Sequence, residues 1–301
     1  MSKIVCICLS ATIQKTVIFN SLHLEDVNRS KSYIKDASGK AVNSARVLNQ
    51  LEPGCATVIC PLGKENSSTF LSLAQKDSLR IIGIQTPGLT RECLTLLDTT
   101  NHTTTEIVIS EAKLEDDYSE AEEMLLYSIR NEIQNTDAVL LAGSRPEWWS
   151  KGLCAVIAKI SEDAGKPFLA DYCGTELTRT LEICTPSIIK INEQEFVSTF
   201  GLSSYPSEKE LKDIITLKSR ELNNTIIVTR GSKPTFAASR GAFTDFPVEK
   251  IHPVNTTACG DSFSAGYLYE VLETGDFETA LAKGTWCAAR NAENLRPGAV
   301  R

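Results

Sequence analysis

Residues 255–266 read NTTACGDSFSAG, and the centre of that run, Gly260-Asp261-Ser262, is the part of the chain best suited to chemistry. Small and polar residues come first; Phe263, Ala265, Gly266, Leu268 and Leu272 then follow at helical spacing. The pattern predicts a loop entering a helix near 258–261. Backbone N–H groups at such an end lack an intrahelical partner and favour an anion. A carboxylate beside a phosphate-binding turn suits a base that takes the proton of an attacking hydroxyl. The same residues also suit a plain helix cap, with Ser262 assisting Asp261.

Two further groupings carry chemistry. Gly39-Lys40, with Asn43 and Arg46, opens an apolar-periodic stretch. A glycine there permits close backbone approach, and Lys40 adds positive charge; a solvated helix start reads the same way. Lys190-Ile191-Asn192-Glu193-Gln194-Glu195 follows an apolar run. Asn192 with Glu193 and Glu195 suits a helix N-cap with acidic first-turn residues; a second reading of the pair comes from the resemblance given below. His23, His102 and His252 form no spaced set, and no Ser-His-Asp or Cys-His arrangement emerges from spacing.

Elements that would position these groups follow from the patterning. Strands are predicted at 3–9, 56–61, 80–84, 138–142, 167–171, 187–191 and 225–229, and helices at 40–51, 67–75, 118–133, 149–164, 177–183, 208–222, 261–273 and 277–293. Their alternation predicts an α/β fold, a three-layer, mostly parallel sheet with helices on both faces. Gly143-Ser144, Asp171, Asn192 and Gly231 all follow predicted strands, where such sheets place function. Two β-rich stretches, about 11–36 and 91–110, break the alternation and predict a small second sheet. The second includes a hairpin around Thr100-Asn101-His102. An edge hairpin is expected at 237–246.

The 301 residues suffice for one large or two smaller domains. A net charge of −7 argues against general nucleic-acid binding, so an anionic ligand needs a local basic cluster. The ten cysteines are scattered without paired C-x-x-C spacing, which suggests reduced thiols in a cytoplasm and neither zinc nor a disulfide framework. No apolar run is long enough to span a membrane.

The 255–266 segment resembles the ATP-site signature of the ribokinase/PfkB carbohydrate kinases. Asn255, Thr256, Gly260, Asp261, Ser262, Phe263 and Gly266 match; Ala258 and Cys259 stand where the family mostly has Gly-Ala. Gly39, Lys40, Asn43 and Ala45 resemble the first signature in its 1-phosphofructokinase and tagatose-6-phosphate kinase form, with Ser38 and Ala41 replacing glycines. Val27-Asn28-Arg29 and Thr90-Arg91 resemble further motifs of that subgroup, Asn192 and Glu195 its N-x-x-E pair, Thr229-Arg230-Gly231 its nucleotide-side turn, and Gly143-Ser144 its acceptor-side turn. Asp171 with Gly174 resembles a D-x-x-G segment, although strand-end capping explains Asp171 and Ser144 equally well.

The resemblance spans essentially the whole chain. It implies one ribokinase-like domain with a small β-sheet lid over the sugar, and ATP-dependent phosphoryl transfer to a phosphorylated ketohexose of the fructose 1-phosphate or tagatose 6-phosphate type. Asp261 would be the base, with backbone N–H groups of Ala258, Cys259 and Gly260 on the migrating phosphoryl. Gln14, Arg29, Gly39, Lys40, Asn43, Arg91 and Ser144 would bind substrate, with Arg29, Lys40 and Arg91 converging on its phosphate. Lys190, Thr229, Gly231 and Gly260 would bind ATP, and Asn192 and Glu195 would hold Mg²⁺, through water. The lid's exposed face would pair with a second subunit as a homodimer. Gln14 stands where the subgroup has an Asp that bonds acceptor hydroxyls, which opens the sugar's identity. A left-handed backbone at Ala258 would cost about 1–2 kcal/mol. Two other functions stay open: a kinase of an unphosphorylated sugar or nucleoside, and a non-catalytic sugar-phosphate or nucleotide sensor.

Overall fold

A computed structural model describes residues 2–109, 117–202 and 206–301. In chain order, β1 (Ile4–Ile7), β2 (Thr12–Phe19) and β3 (Ser32–Ser38) lead into α1 (Lys40–Leu51), β4 (Ala56–Gly63), α2 (Ser67–Gln75) and β5 (Arg80–Thr86). β6 (Glu92–Asp98) and β7 (Thr103–Val108) precede α3 (Ser119–Glu132), β8 (Ala138–Ala142), α4 (Leu153–Asp163), β9 (Phe168–Asp171) and α5 (Gly174–Ile183). β10 (Ile188–Asn192), α6 (Glu193–Thr199), α7 (Glu208–Glu221), β11 (Thr225–Arg230), β12 (Lys233–Ser239) and β13 (Ala242–Phe246) run to α8 (Cys259–Thr274) and α9 (Phe277–Ala292).

The large sheet has the order β13-β12-β11-β10-β9-β8-β1-β4-β5. It is parallel from β11 to β5 and antiparallel at the β12–β13 edge. Its central strands are apolar on both sides, and the alternation sorts them between two cores. Ile4, Cys6, Val58 and Leu140 pack with residues of α1, α2, α8 and α9. Val5, Ile7, Ile59, Val139 and Leu141 pack with residues of α3, α4, α5, α6 and α7. This is the three-layer arrangement that alternating strands and helices predict.

The small sheet has the order β3-β2-β6-β7 and is built from the two stretches that broke the alternation. Gln14, Thr16, Asp36, Thr95 and Glu106 share one face by register; Lys15, Val17, Tyr33, Leu94, Leu96 and Ile107 share the other. On that second face Tyr33 is 61% and Ile107 42% exposed. The predicted strand reaching Ser110 ends at Val108, and Ser110 itself lies outside the described residues.

Three expectations shift. The helix predicted over 149–164 starts only at Leu153, because Gly152 takes a left-handed backbone and Trp149 is pinned under the sheet by its Nε1 donating to the Leu9 carbonyl at 2.9 Å. α5 begins at Gly174, three residues early. The Asn192–Glu195 segment opens a short helix, α6, absent from the periodicity reading because seven residues hold too few apolar positions to show a period. All ten cysteines are free thiols, eight of them buried. Among the described residues no helix is long and apolar enough to cross a membrane.

Candidate active site

The carboxyl edge of the large sheet gathers most of the predicted site. Asp261 sits in the first turn of α8 and is buried, 6% exposed. Its Oδ2 accepts a hydrogen bond from Asn43 Nδ2 on α1 at 2.9 Å, and its carbonyl accepts one from Ser44 Oγ at 2.9 Å. Burial pushes its carboxyl up to about 6, Lys40 pulls it down, Asp171 pushes it up, and Asn43 and Lys190 pull it down. A carboxyl with that balance is ionised at neutral pH yet basic enough to hold a proton, as a general base requires.

α8 begins without a side-chain cap. Ala258, its N-cap, has φ 65° and ψ 11°, the left-handed conformation that an alanine adopts only at a cost. The Cys259 N–H reaches the Thr256 carbonyl at 3.3 Å. The N–H groups of Gly260 and Asp261 lie in the first turn, where no helix carbonyl can reach them. A side chain on Gly260 would come within 2.9 Å of Lys190 Nζ, so glycine is what lets that ammonium stand against the helix end.

Lys190, on β10, is buried and pairs with Asp171 Oδ2 at 2.9 Å; Ser264 Oγ donates to the same oxygen at 2.7 Å. Burial raises the Asp171 carboxyl, but Lys190 and Lys40 outweigh it and hold it below its ordinary range. Lys40 lies 3.6 Å from Asp171 and 3.7 Å from Glu195, and Asp171 is the main reason its ammonium is held above the ordinary value. Gly39 precedes Lys40 with φ 122°, and a Cβ there would collide with Cys8 Sγ at 2.6 Å. Gly143 abuts Lys40 and is followed by exposed Ser144.

Two clefts adjoin these groups. One, of about 810 Å³, is lined by Thr229, Gly231, Pro234, Cys259, Gly260 and Phe263 among others. The other, of about 570 Å³, is lined by Ala11, Asn66, Thr90 and Arg91 among others. Arg91 lies at the base of the small sheet, its carbonyl accepting from Ile13 N–H at 2.9 Å and Thr12 Oγ1 at 3.1 Å. Cys8, against Gly39, feels both Arg91 and Asp261. Gln14 is buried on the inner face of the small sheet and donates to Thr95 Oγ1 at 2.8 Å.

Arg29 is not brought to Lys40 and Arg91. It is exposed in the connection beyond the far end of β3, roughly 20 Å along the strand from Gly39. Spacing in sequence hid this, because β2 and β3 run out and back before reaching α1.

Asn192 and Glu195 form a reciprocal capping box: Asn192 Oδ1 accepts from Glu195 N–H at 2.9 Å, and Glu195 Oε2 from Asn192 N–H at 2.8 Å. Glu195 Oε1 is left on the Lys40 side. One partly exposed carboxylate oxygen beside Lys40 fits a Mg²⁺ that keeps several waters. Arg230, between Thr229 and Gly231, turns its side chain onto other partners. Its guanidinium stacks 3.8 Å over Phe236 and bonds Glu193 at 2.6 Å and also Glu208.

Sequence reasoning left out Ser264, which fixes Asp171, and Glu106 on β7, which accepts from Thr257 Oγ1 at 2.7 Å next to the start of α8. Only the pairing of distant segments reveals them.

A buried carboxylate at an uncapped helix end, with two lysines near it, supplies groups of the class that phosphoryl transfer uses, on a ribokinase-like fold. Residues 1–298 match the pfkB family carbohydrate kinase family, and the chain belongs to it and is a carbohydrate kinase. Among solved structures, it is similar to phosphofructokinase-2 from Escherichia coli in complex with fructose-6-phosphate (TM-score 0.85, 16% identity, covering 97% of this chain and 94% of that one). It is also similar to a protein described as a possible 1-phosphofructokinase from Thermotoga maritima (TM-score 0.87, 17% identity, 98% and 93%). The tetrameric inhibited form of the Escherichia coli enzyme matches at TM-score 0.85, with 16% identity over 97% and 94% of the two chains.

Proposed function

We propose that this kinase transfers the γ-phosphoryl of ATP to a hydroxyl of a phosphorylated ketohexose, with Asp261 as the base. The observation that carries the reading is Asp261 itself, buried and held by Asn43 at the uncapped start of α8. The acceptor oxygen bonds to the γ-phosphorus while the bond from phosphorus to the bridging oxygen breaks. The hydroxyl proton passes to Asp261 and ADP leaves. Gly260 and Asp261 N–H groups, with Lys190 beside them, supply positive potential where charge collects on the phosphoryl oxygens. Thr229 and Gly231, in the larger cleft, take the nucleotide. Glu195, positioned by Asn192, would hold Mg²⁺ through water, which would neutralise charge on the nucleotide phosphates.

Lys40 and Arg91 take the substrate phosphate, an Arg fork suiting two of its oxygens. Gln14, Asn43 and Ser144 meet the sugar. The small sheet acts as a lid, and the Glu106–Thr257 hydrogen bond ties it to the start of α8. Its exposed face, with Tyr33 and Ile107, supports pairing with a second copy. Arg29 lies at the rim of that sheet, so it would reach a substrate phosphate only from a neighbouring subunit.

The test is Asp261→Asn assayed with ATP against paired sugars, with and without phosphate. The wild type should turn over the phosphorylated partners, and the variant should lose about 10²–10⁴-fold in kcat while still binding ATP. Retained turnover in the variant would show that the base is elsewhere; preference for the unphosphorylated partners would move the acceptor to a free sugar.

A further inference from the structure

We propose that Arg46 is a positioning residue that fixes the amide of Asn43 with its NH₂ toward Asp261, and so keeps the base in its proton-accepting form. This rests on the reading of Asp261 as the base. Asn43 and Arg46 are three residues apart on α1 and share a face. Arg46 is 3% exposed, and its Nη1 donates to Asn43 Oδ1 at 3.0 Å. Ser38 Oγ donates to the same oxygen at 3.0 Å. A guanidinium can only donate, so the oxygen end of the amide must face it. The NH₂ end is then left for Asp261 Oδ2 at 2.9 Å. Turned over, the amide would set NH₂ against guanidinium and oxygen against carboxylate.

Arg46 is itself held on every side. Its Nε bonds Asp77 at 2.8 Å, its Nη1 the Pro297 carbonyl at 3.1 Å, and its Nη2 the Ala37 carbonyl. Asp77 is gripped in turn by Arg296 at 2.7 Å. Gly298 packs so closely that a Cβ there would meet Nη1 at 3.0 Å. These bonds fix the guanidinium in one orientation, with Nη1 on the Asn43 amide oxygen.

The groups that act on Asp261 are Lys40 and Asn43 from α1, Asp171 from β9 and Lys190 from β10; Asp261 also acts on Cys8, beyond β1, and on Cys259 within α8. Burial raises its carboxyl, and the Asn43 donor is one of the three that bring it down. Losing that donor leaves the burial uncompensated by the same amount.

The test is Arg46→Lys, which keeps a charge for Asp77 but has no fork to reach Asn43 at once. The Asp261 carboxyl is followed by ¹³C NMR of aspartate-labelled protein, assigned with Asp261→Asn, beside the pH profile of kcat/KM. The Asp261 midpoint should rise by about one pH unit, and the acid limb of the profile should move with it. A folded Arg46→Lys protein with an unmoved Asp261 midpoint would overturn the proposal. If that variant does not fold, Asp77→Asn loosens Arg46 instead and should move the midpoint the same way; an unmoved midpoint there overturns it equally. A midpoint that moves while the rate profile stays put would uphold the positioning role and remove Asp261 as the base.

Discussion

α6 and α8 both begin at the carboxyl edge of the large sheet, on either side of Lys40, and they close their N-termini differently. At α6 the Asn192 and Glu195 side chains cap each other's backbone N–H groups. At α8 no side chain caps, and the N-cap residue is an alanine in left-handed conformation. The α6 end spends its donors on its own stability and leaves one carboxylate oxygen facing outward. The α8 end keeps donors available and carries strain, burial of Asp261 and an adjacent lysine. The difference is what the proposed roles require: a helix end that is to hold a transferring phosphoryl must keep its N–H groups free of a self-cap.

Breaking the α8 side should cost most. Lys190→Met leaves buried Asp171 with Lys40 at 3.6 Å as its remaining ion-pair partner. A loss of about 2–3 kcal/mol is expected by chemical denaturation, less than a fully orphaned buried charge costs because Lys40 and Ser264 remain on Asp171. A loss below 1 kcal/mol would show the pair is not felt as buried. Asp261→Asn should go the other way. The folded carboxyl keeps its proton to about 6 and the unfolded one only to 3.8. The folded state therefore binds the extra proton between these values, and this group's contribution to stability falls as pH rises through that window. The Asn variant should lack this pH dependence, so its stability relative to wild type should rise between denaturation at pH 4 and at pH 8. The wild-type rate should climb as pH rises through about 6, where the base loses its proton.

On the α6 side the effects should be smaller. Asn192→Ala removes a cap and should cost about 1 kcal/mol of stability with kcat reduced less than tenfold. A loss of kcat to match Asp261→Asn would erase the contrast between the two ends. Smallest is Ala258→Gly: relief of the left-handed strain, less the added freedom of glycine in the unfolded chain, should stabilise by about 0.5–1 kcal/mol. A destabilised variant would mean that the alanine methyl makes contacts worth more than the strain.

The fold was legible to an unusual depth because parallel strands are apolar throughout and helices periodic, so each declared itself locally. Gly39, Gly260 and Asp261 were legible as residues at helix starts, and the resemblance to the carbohydrate kinases singled them out from plain caps. Arg29 was misjudged as one of a converging trio: its motif was local, but its distance from Lys40 depends on how far β2 and β3 extend. The start of α6 was legible as one of two readings of Asn192 and Glu195, since an N-cap is local; its length was not, because seven residues show no period. Glu106 and Ser264 drew no notice because their partners Thr257 and Asp171 lie 151 and 93 residues away.

By itself the sequence determined the order of strands and helices, the two stretches that form the small sheet, and the residues able to take a proton or meet a phosphate. Those follow from side-chain period and turn chemistry, which act over a few residues. The tertiary structure alone decided that Asn43 holds Asp261 across 218 residues, that Lys190 leans on Gly260, and that α8 stays uncapped. Hydrogen bonds and burial depend on which surfaces meet, and that is set when the helices close onto the sheet.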